Sequence, residues 1–437
     1  MKKRQKSTFV TSDSSKIVQA LVGFKDVRVV QYERHGPHVD LVIEQVVDHP
    51  LCSDCGGRAR VKERPLARYI DLPVYGQAMR LVWRKHRMWC PSTACPRRSW
   101  VLTDPRIAGA SSRVTTRAAK WATVQVGKGR TVSEVATELG CDWHTINDAV
   151  TTYGGALLDA DRKRLNKTTA IGLDETSFMR LTNRHTSYVT TVCDVDHHQI
   201  IDLLPSRDFV DVAAYINERS VAWKRRLRYG ALDMSAAYAA VYNVMLPNVV
   251  QVVDAFHVVA LTNRALDAVR RRVQHEQTGH RGRKHDPLYR ARRVLLVGEE
   301  RLTDTAAQRL SSLLALGDPH AEVAIAYRVK ERIRDFYREA NPDTARVMMT
   351  DLVAHCRHHA MPPELQRLGR TLQRWRDKIC NYHHARVSNG PTEALNNLIK
   401  RIKRIGFGFT NFHNYRIRAL LYAGKPNWRV LGSITIK

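Results

Sequence analysis

The amino-acid sequence predicts a multidomain α/β protein with an N-terminal zinc-ribbon-like module, a helix-turn-helix, and a mixed-sheet domain carrying a helical insertion. Three observations predict this organisation. Two cysteine pairs fall within residues 51–100, a helix–glycine–helix pattern occupies 131–150, and from Thr168 apolar strand-like runs give way to helical patterns. At 437 residues the chain is long enough for about two to four domains.

The first module rests on "LCSDCGGRARV" and "RMWCPSTACPRRSW", which space Cys52, Cys55, Cys90 and Cys95 as C-x2-C, 34 residues, C-x4-C. Each pair sets two thiolates on a tight turn, and two such knuckles complete a tetrahedral zinc site with no open position. That zinc is structural. Between the pairs, Met79, Leu81 and Trp83 alternate with Val82 and basic residues, a strand pattern expected to belong to the ribbon. The remaining cysteines, Cys141, Cys193, Cys356 and Cys380, are scattered. The basic start "MKKRQKSTFVTSDSSK" lacks the apolar run of a signal peptide, and no stretch of about 18 apolar residues occurs. A cytosolic (nucleoid-associated) location is therefore expected.

In "TVSEVATELGCDWHTINDAV", Val132, Val135, Ala136 and Leu139 share one helical face, Gly140 supplies a turn, and Ile146 and Val150 point inward from a second helix. This is the pattern of a helix-turn-helix, with 111–126 adding a supporting helix. Trp143, His144, Thr145 and Asn147 fall at the start of the second helix, where such motifs reach base edges. The formal net charge of +29 points the same way, because a chain that repels itself so strongly needs a polyanionic partner.

From Thr168, "TTAIGLDETSF" reads as a strand ending in Asp174, and "TSYVTTVCDVDHHQIIDLLP" as two strands joined near Asp196–His198. A helix at "FVDVAAYINERS" precedes "RYGALD", a strand ending in Asp233, and "NVVQVVDAFHVV" is a further strand running into Asp254 and His257. Hairpins first and strand–helix alternation afterwards predict a mixed sheet. Residues 261–377 read as helices, with "RGRKHD" in a basic loop that offers phosphate contacts or a solvated charge run.

The stretch "NGPTEALNNLIKRIKRIGFGF" reads as a helix with a buried stripe of Leu395, Leu398, Ile399, Ile402 and Ile405, leaving Glu393, Asn397 and Lys400 on the other side. Between Lys378 and Lys437 there are eleven Lys and Arg residues, and Glu393 is the one acid. A carboxylate kept alone among cations fits a metal ligand beside a polyanion. Together with Asp174 and Asp233 it offers the oxygen donors that Mg²⁺ or Mn²⁺ prefers, while Lys400, Arg401, Lys403 and Arg404 face phosphates. Two such ions activate a hydroxyl and stabilise the leaving 3′ oxygen of a phosphodiester. His257 is read either as a core histidine or as a group that orients a catalytic Asp or water.

"IGLDETSF", "ALDMSAAY", "VVDAFHVV" and "SNGPTEALNNLIKRIKRIGFGFTNFHNYRIRALLY" resemble motifs of the ISL-three family of bacterial insertion-sequence transposases, and the resemblance extends from about Cys52 to Tyr422. It implies a ribonuclease H-like catalytic domain with an Asp-Asp-Glu triad of Asp174, Asp233 and Glu393. It further implies binding of double-stranded DNA at the element's terminal inverted repeats, metal-dependent strand cleavage, and strand transfer into target DNA by a homo-oligomer. Where members of the family often carry a Gly-containing turn after the first strand, this chain has "MRLTNRHTSY". For the second aspartate the resemblance picks Asp233, and the small "MSAAYAAVY" that follows leaves room for a ligand; Asp254, followed by bulky "AFHVV", suits a cap or a supporting partner.

The expected divisions are 1–104 for the zinc module, 111–155 for the helix-turn-helix, 168–260 and 378–432 for the two parts of the catalytic core, and 261–377 for the insertion. Two other readings stand beside this one: a zinc and helix-turn-helix regulator without catalysis, and a structure-selective nuclease on the same scaffold.

Overall fold

The computed structural model describes residues 16, 19, 22–24, 26–36, 38–165, 167–180, 186–387 and 390–436. Most of the basic start, residues 181–185 within "MRLTNRHTSY", and Ser388–Asn389 lie outside them. The chain divides into two compact units, Met1–Arg164 with Ile402–Lys437, and Leu165–Arg401.

In the first unit, β1 (Val27–His35), β2 (His38–Gln45), β5 (Gln77–Arg84) and β4 (Leu66–Val74) form a sheet in the order β1-β2-β5-β4. β2 and β5 pair in parallel, and the other neighbours are antiparallel. Ile43, Leu81 and Trp83 close its core. This corrects one expectation. Met79, Leu81 and Trp83 belong to this larger sheet, whereas the cysteine module has its own, with β3 (Arg60–Glu63), β6 (Arg87–Trp89) and β7 (Ser99–Val101) in the order β3-β6-β7. The apolar alternation satisfies a core that the cysteine module is too small to provide.

Helices α1 (Thr116–Gly127), α2 (Val132–Leu139) and α3 (Trp143–Ala160) follow, and α15 (Phe412–Ala423) and α16 (Trp428–Leu431) return from the C-terminus to pack with them. The close approach depends on Gly154: a Cβ there would lie 2.9 Å from Leu421 Cδ1 and 3.0 Å from Ile417 Cγ2. The stretch 378–432, taken as one piece of the catalytic core from sequence, is thus divided at Arg401/Ile402. The apolar faces of α3 and α15 complete each other, a long-range match that local periodicity does not reveal.

The second unit holds β8 (Ala170–Arg180), β9 (Thr186–Asp194), β10 (Gln199–Leu204), β11 (Tyr229–Leu232) and β12 (Val250–Val253), ordered β10-β9-β8-β11-β12. β10, β9 and β8 are antiparallel; β8, β11 and β12 are parallel. Helices α4 (Phe209–Asn217), α5 (Val221–Arg226) and α6 (Ala236–Met245) connect these strands. A helical array follows: α7 (Ala255–Thr278), α8 (Pro287–Ala291), α9 (Asp304–Gly317), α10 (Glu322–Arg338), α11 (Pro342–Arg357), α12 (Pro363–Cys380) and α13 (Tyr382–Ala385). It shares one apolar core with the sheet, and α7 runs unbroken across the expected boundary at 260/261. Arg272 ties the array together, its Nε donating to Glu364 at 2.9 Å while its terminal nitrogens reach Glu276 and Glu322. Last comes α14 (Gly390–Ile405), through which the division between the units passes. None of the described helices is long and apolar enough to cross a membrane.

Candidate active site and DNA-binding elements

The parallel strands bring the sequence-predicted aspartates together by register. The last parallel pairs are Leu173 with Leu232 and Leu232 with Val253, so Asp174, Asp233 and Asp254 follow in line on three adjacent strands. Neighbouring strands lie about 4.8 Å apart. Asp174 does not end its strand as the apolar run implied. β8 continues to Arg180 because β9 pairs along it, with Asp174 opposite Thr191 and Arg180 opposite Thr186.

Burial raises the Asp174 carboxyl to about 6, Asp233 adds to the rise, and the Glu175 amide and His257 oppose it. Burial also lifts Asp233, with His257 opposing and Glu175 adding. His257, half-buried in the first turn of α7, thus lies near both aspartates. Asp233 accepts from the Ser235 amide at 3.1 Å. Asp254 is buried at the N-cap position of α7, yet its side chain makes no capping hydrogen bond to the first turn.

Four side chains around Asp174 were not singled out from the sequence: Asn396, Thr191, Glu175 and Arg207. Asn396 donates from Nδ2 to Asp174 Oδ2 at 2.7 Å, while its Oδ1 accepts from the Thr191 hydroxyl at 2.9 Å. It lies three residues after Glu393 and is buried. Glu175, next to Asp174, is bonded by Arg207 at 2.8 Å. Apolar periodicity passes over such polar residues; spacing from Glu393 was the one signal available for Asn396.

The buried face of α14 consists of Thr392, Leu395, Asn396, Ile399 and Ile402. Leu398, expected in the stripe, is instead exposed, because Asn396 takes an inward position to bond Asp174 of β8 and Thr191 of β9. Glu393, Asn397, Lys400, Arg401 and Arg404 are exposed, and Lys403 is half-buried. Among the described residues, the group of three or more Cys, His, Asp or Glu side chains close enough to hold a metal ion is the cysteine quartet. Asp174 and Asp233 follow one another on adjacent strands, while Glu393 stands exposed on α14 and forms no such group with them among the described residues.

The quartet itself is tightly gathered. Cys52 Sγ lies 3.7 Å from Cys95 Sγ and Cys55 Sγ 3.6 Å from Cys90 Sγ, and all four sulfurs lie within 4.8 Å of one another. Tetrahedral Zn–S bonds of about 2.3 Å require sulfurs about 3.8 Å apart. The backbone amides of Cys55 and Asp54 lower the Cys52 thiol to about 7, which favours the thiolate a metal binds. The four residues fit zinc.

The helix-turn-helix forms as its sequence dictates. Thr131 and Glu134 make a reciprocal capping box, and Gly140 adopts φ 63 at the turn, where Arg80 donates to the Leu139 carbonyl at 3.2 Å. Asp142 caps α3 through the Thr145 amide at 2.9 Å. Trp143 and His144 are exposed, with their rings edge to face at 5.2 Å. Thr145 and Asn147 are not. The Thr145 hydroxyl donates to Asp142 at 2.7 Å, and Asn147 is only 6% exposed. Both lie on the inward face of α3, away from where a base reader would stand, while Trp143 and His144 remain on its exposed face.

Comparison with known proteins agrees with this construction. A transposase family model of the ISL3 class matches residues 171–419, more than half of the chain. The helix-turn-helix domain of transposase family ISL3 matches residues 104–154. With a helix-turn-helix and a mixed α/β unit in these places, the protein is a DNA-binding transposase, an enzyme acting on DNA. It belongs to the ISL3 family. The transposase for insertion sequence element IS1001 of Bordetella parapertussis is 26% identical over 405 residues, 90% of this chain and 94% of that protein. The transposase for insertion sequence element IS1557 of Mycobacterium tuberculosis (strain ATCC 25618 / H37Rv) is 26% identical over 259 residues, 55% of this chain and 56% of that protein.

Proposed function

We propose that this transposase binds the terminal inverted repeats of its insertion sequence and cuts and joins DNA with Asp174, Asp233 and Glu393 on a ribonuclease H-like core. The observation that carries the reading is the register of Asp174 beside Asp233 on parallel strands, both carboxyls raised by burial. Paired half-buried carboxylates with raised pKa values are short of positive charge, and their oxygens are the donors Mg²⁺ or Mn²⁺ takes. When bound there, such ions supply Lewis acidity at the attacking and leaving oxygens of the phosphodiester.

The chain's own residues do the remaining work. Asn396 and the Glu175 amide orient Asp174, and the Ser235 amide orients Asp233. Glu393 brings the third carboxylate from α14. Lys400, Arg401, Lys403 and Arg404 hold phosphates, and Trp143 and His144 meet base edges at the element ends. Cys52, Cys55, Cys90 and Cys95 would hold a zinc ion that ties the N-terminal module together, and the active complex is a homo-oligomer.

The test mixes purified protein, Mg²⁺ and DNA carrying the element's own ends, and maps nicks and joined products for wild type and Glu393→Gln. Cleavage with joining, abolished in the variant while end binding persists, is the expected result. Cleavage without joining would indicate a nuclease, and retained nicking by Glu393→Gln would remove that residue from the site.

A further inference from the structure

Immediately after α14 the chain holds an aromatic side chain outside the fold. Phe407 is 96% exposed, more than any other large apolar side chain among the described residues. Its backbone lies at φ 52, a region an L side chain rarely adopts, and Gly408 follows at φ 97. The turn is nonetheless fixed. The Gly406 amide donates to Ile402 at 2.9 Å, Phe407 to Arg404 at 3.0 Å, and Gly408 to Lys403 at 2.9 Å. Glycine is the usual residue at such a left-handed helix end; here a phenylalanine occupies it between two glycines.

The neighbouring aromatic behaves in the opposite way. The Phe409 ring packs inward, 5.1 Å from Tyr415 and 4.8 Å from the guanidinium of buried Arg418. One ring thus anchors the turn while the other projects from it. The surroundings choose the partner: from Ala394 to Lys437 the chain has nine Lys and Arg residues and no Asp or Glu. At this turn a second copy, meeting through the same surface, would set these unopposed cations against their own equivalents. An aromatic face beside unopposed cations suits an unstacked nucleic-acid base and its adjoining phosphate.

We propose that Phe407 is a base-stacking wedge, standing against an unstacked base of bound DNA while exposed Arg404 meets the phosphate beside it. The proposal rests on DNA binding by the transposase and not on the assignment of the catalytic carboxylates. It is tested with the full-length protein and two probes, a fully paired duplex and the same duplex with one unpaired thymine. Wild type should bind the second more tightly, Phe407→Ala should lose about fivefold or more of that preference, and Phe407→Trp should keep it. Because the ring makes little contact with the fold, the alanine variant should melt with wild type. An alanine variant that keeps the full preference, or a wild type that binds both duplexes equally, would overturn the proposal. So would an alanine variant whose only change is in the sedimentation of DNA-free protein, which would make Phe407 a self-association contact. Binding to neither duplex would count against DNA binding itself, a distinguishable failure.

Discussion

Removing the Asn396 side chain should weaken the Leu165–Arg401 unit before any chemistry is measured. Asn396 bridges two groups, donating to Asp174 at 2.7 Å and accepting from the Thr191 hydroxyl at 2.9 Å. Asn396→Ala leaves the fully buried Thr191 hydroxyl without its acceptor, a cost of about 1–3 kcal/mol. It also removes a bond to a carboxylate, about 1.5–3 kcal/mol, of which part is recovered because Asp174 keeps the Glu175 amide. A net loss of about 3 kcal/mol is expected, or roughly 6–12 °C in melting temperature for a unit of this size. Differential scanning calorimetry of metal-free protein reads it directly. A cycle with Thr191→Val supplies the second readout, since the two changes break one shared bond and their costs should not add. An Asn396→Ala protein that melts within about 2 °C of wild type, or a strictly additive cycle, would refute the bridge.

Other consequences are open to measurement. Cys55→Ser should release zinc and loosen residues 51–100, read by metal analysis and proteolysis; protein purified without chelators that contains no zinc would contradict the site. His144→Ala should reduce preference for the end sequence more than general affinity, whereas Thr145→Val should act mainly on stability, by about 1 kcal/mol, through its bond to Asp142. Equal loss of specificity from both would return Thr145 to the DNA surface. Asp233→Asn should eliminate cleavage and joining while Asp254→Asn leaves measurable chemistry, and the reverse pattern would exchange their roles. The same Asp233 variant carries a pH signature. Its carboxyl is raised by burial, so the charged form costs stability above the folded pKa and nothing below the ordinary value of 3.8. Asp233→Asn should therefore raise the melting temperature of metal-free protein near neutral pH, with the gain disappearing as pH falls toward 3.8.

Much of this molecule was legible in order along the chain, wherever the information is local. The capping box at Thr131 and Glu134, the left-handed Gly140 and the inward faces of α2 and α3 each follow from residues within a few positions of one another. The cysteine spacing specified a quartet because two short turns suffice to build each half of it. The strands ending at Leu232 and Val253 could likewise be read from apolar runs bounded by Asp233 and Asp254.

Tertiary structure decided what depends on pairing between distant segments. Whether Asp174 and Asp233 meet is a matter of parallel register, which no single strand contains. Polar residues drawn inward by distant partners broke the periodicity argument: Asn396 is buried because Asp174 and Thr191 bond it, and Leu398 is exposed in consequence. The same holds for Thr145, whose hydroxyl is occupied by its own helix cap. Ile417 and Leu421, read from sequence as part of the catalytic core, pack at Gly154 because complementary apolar surfaces bury each other irrespective of their separation along the chain. Sequence determines which side chains seek burial or a hydrogen bond, and the folded chain decides which distant partner supplies it.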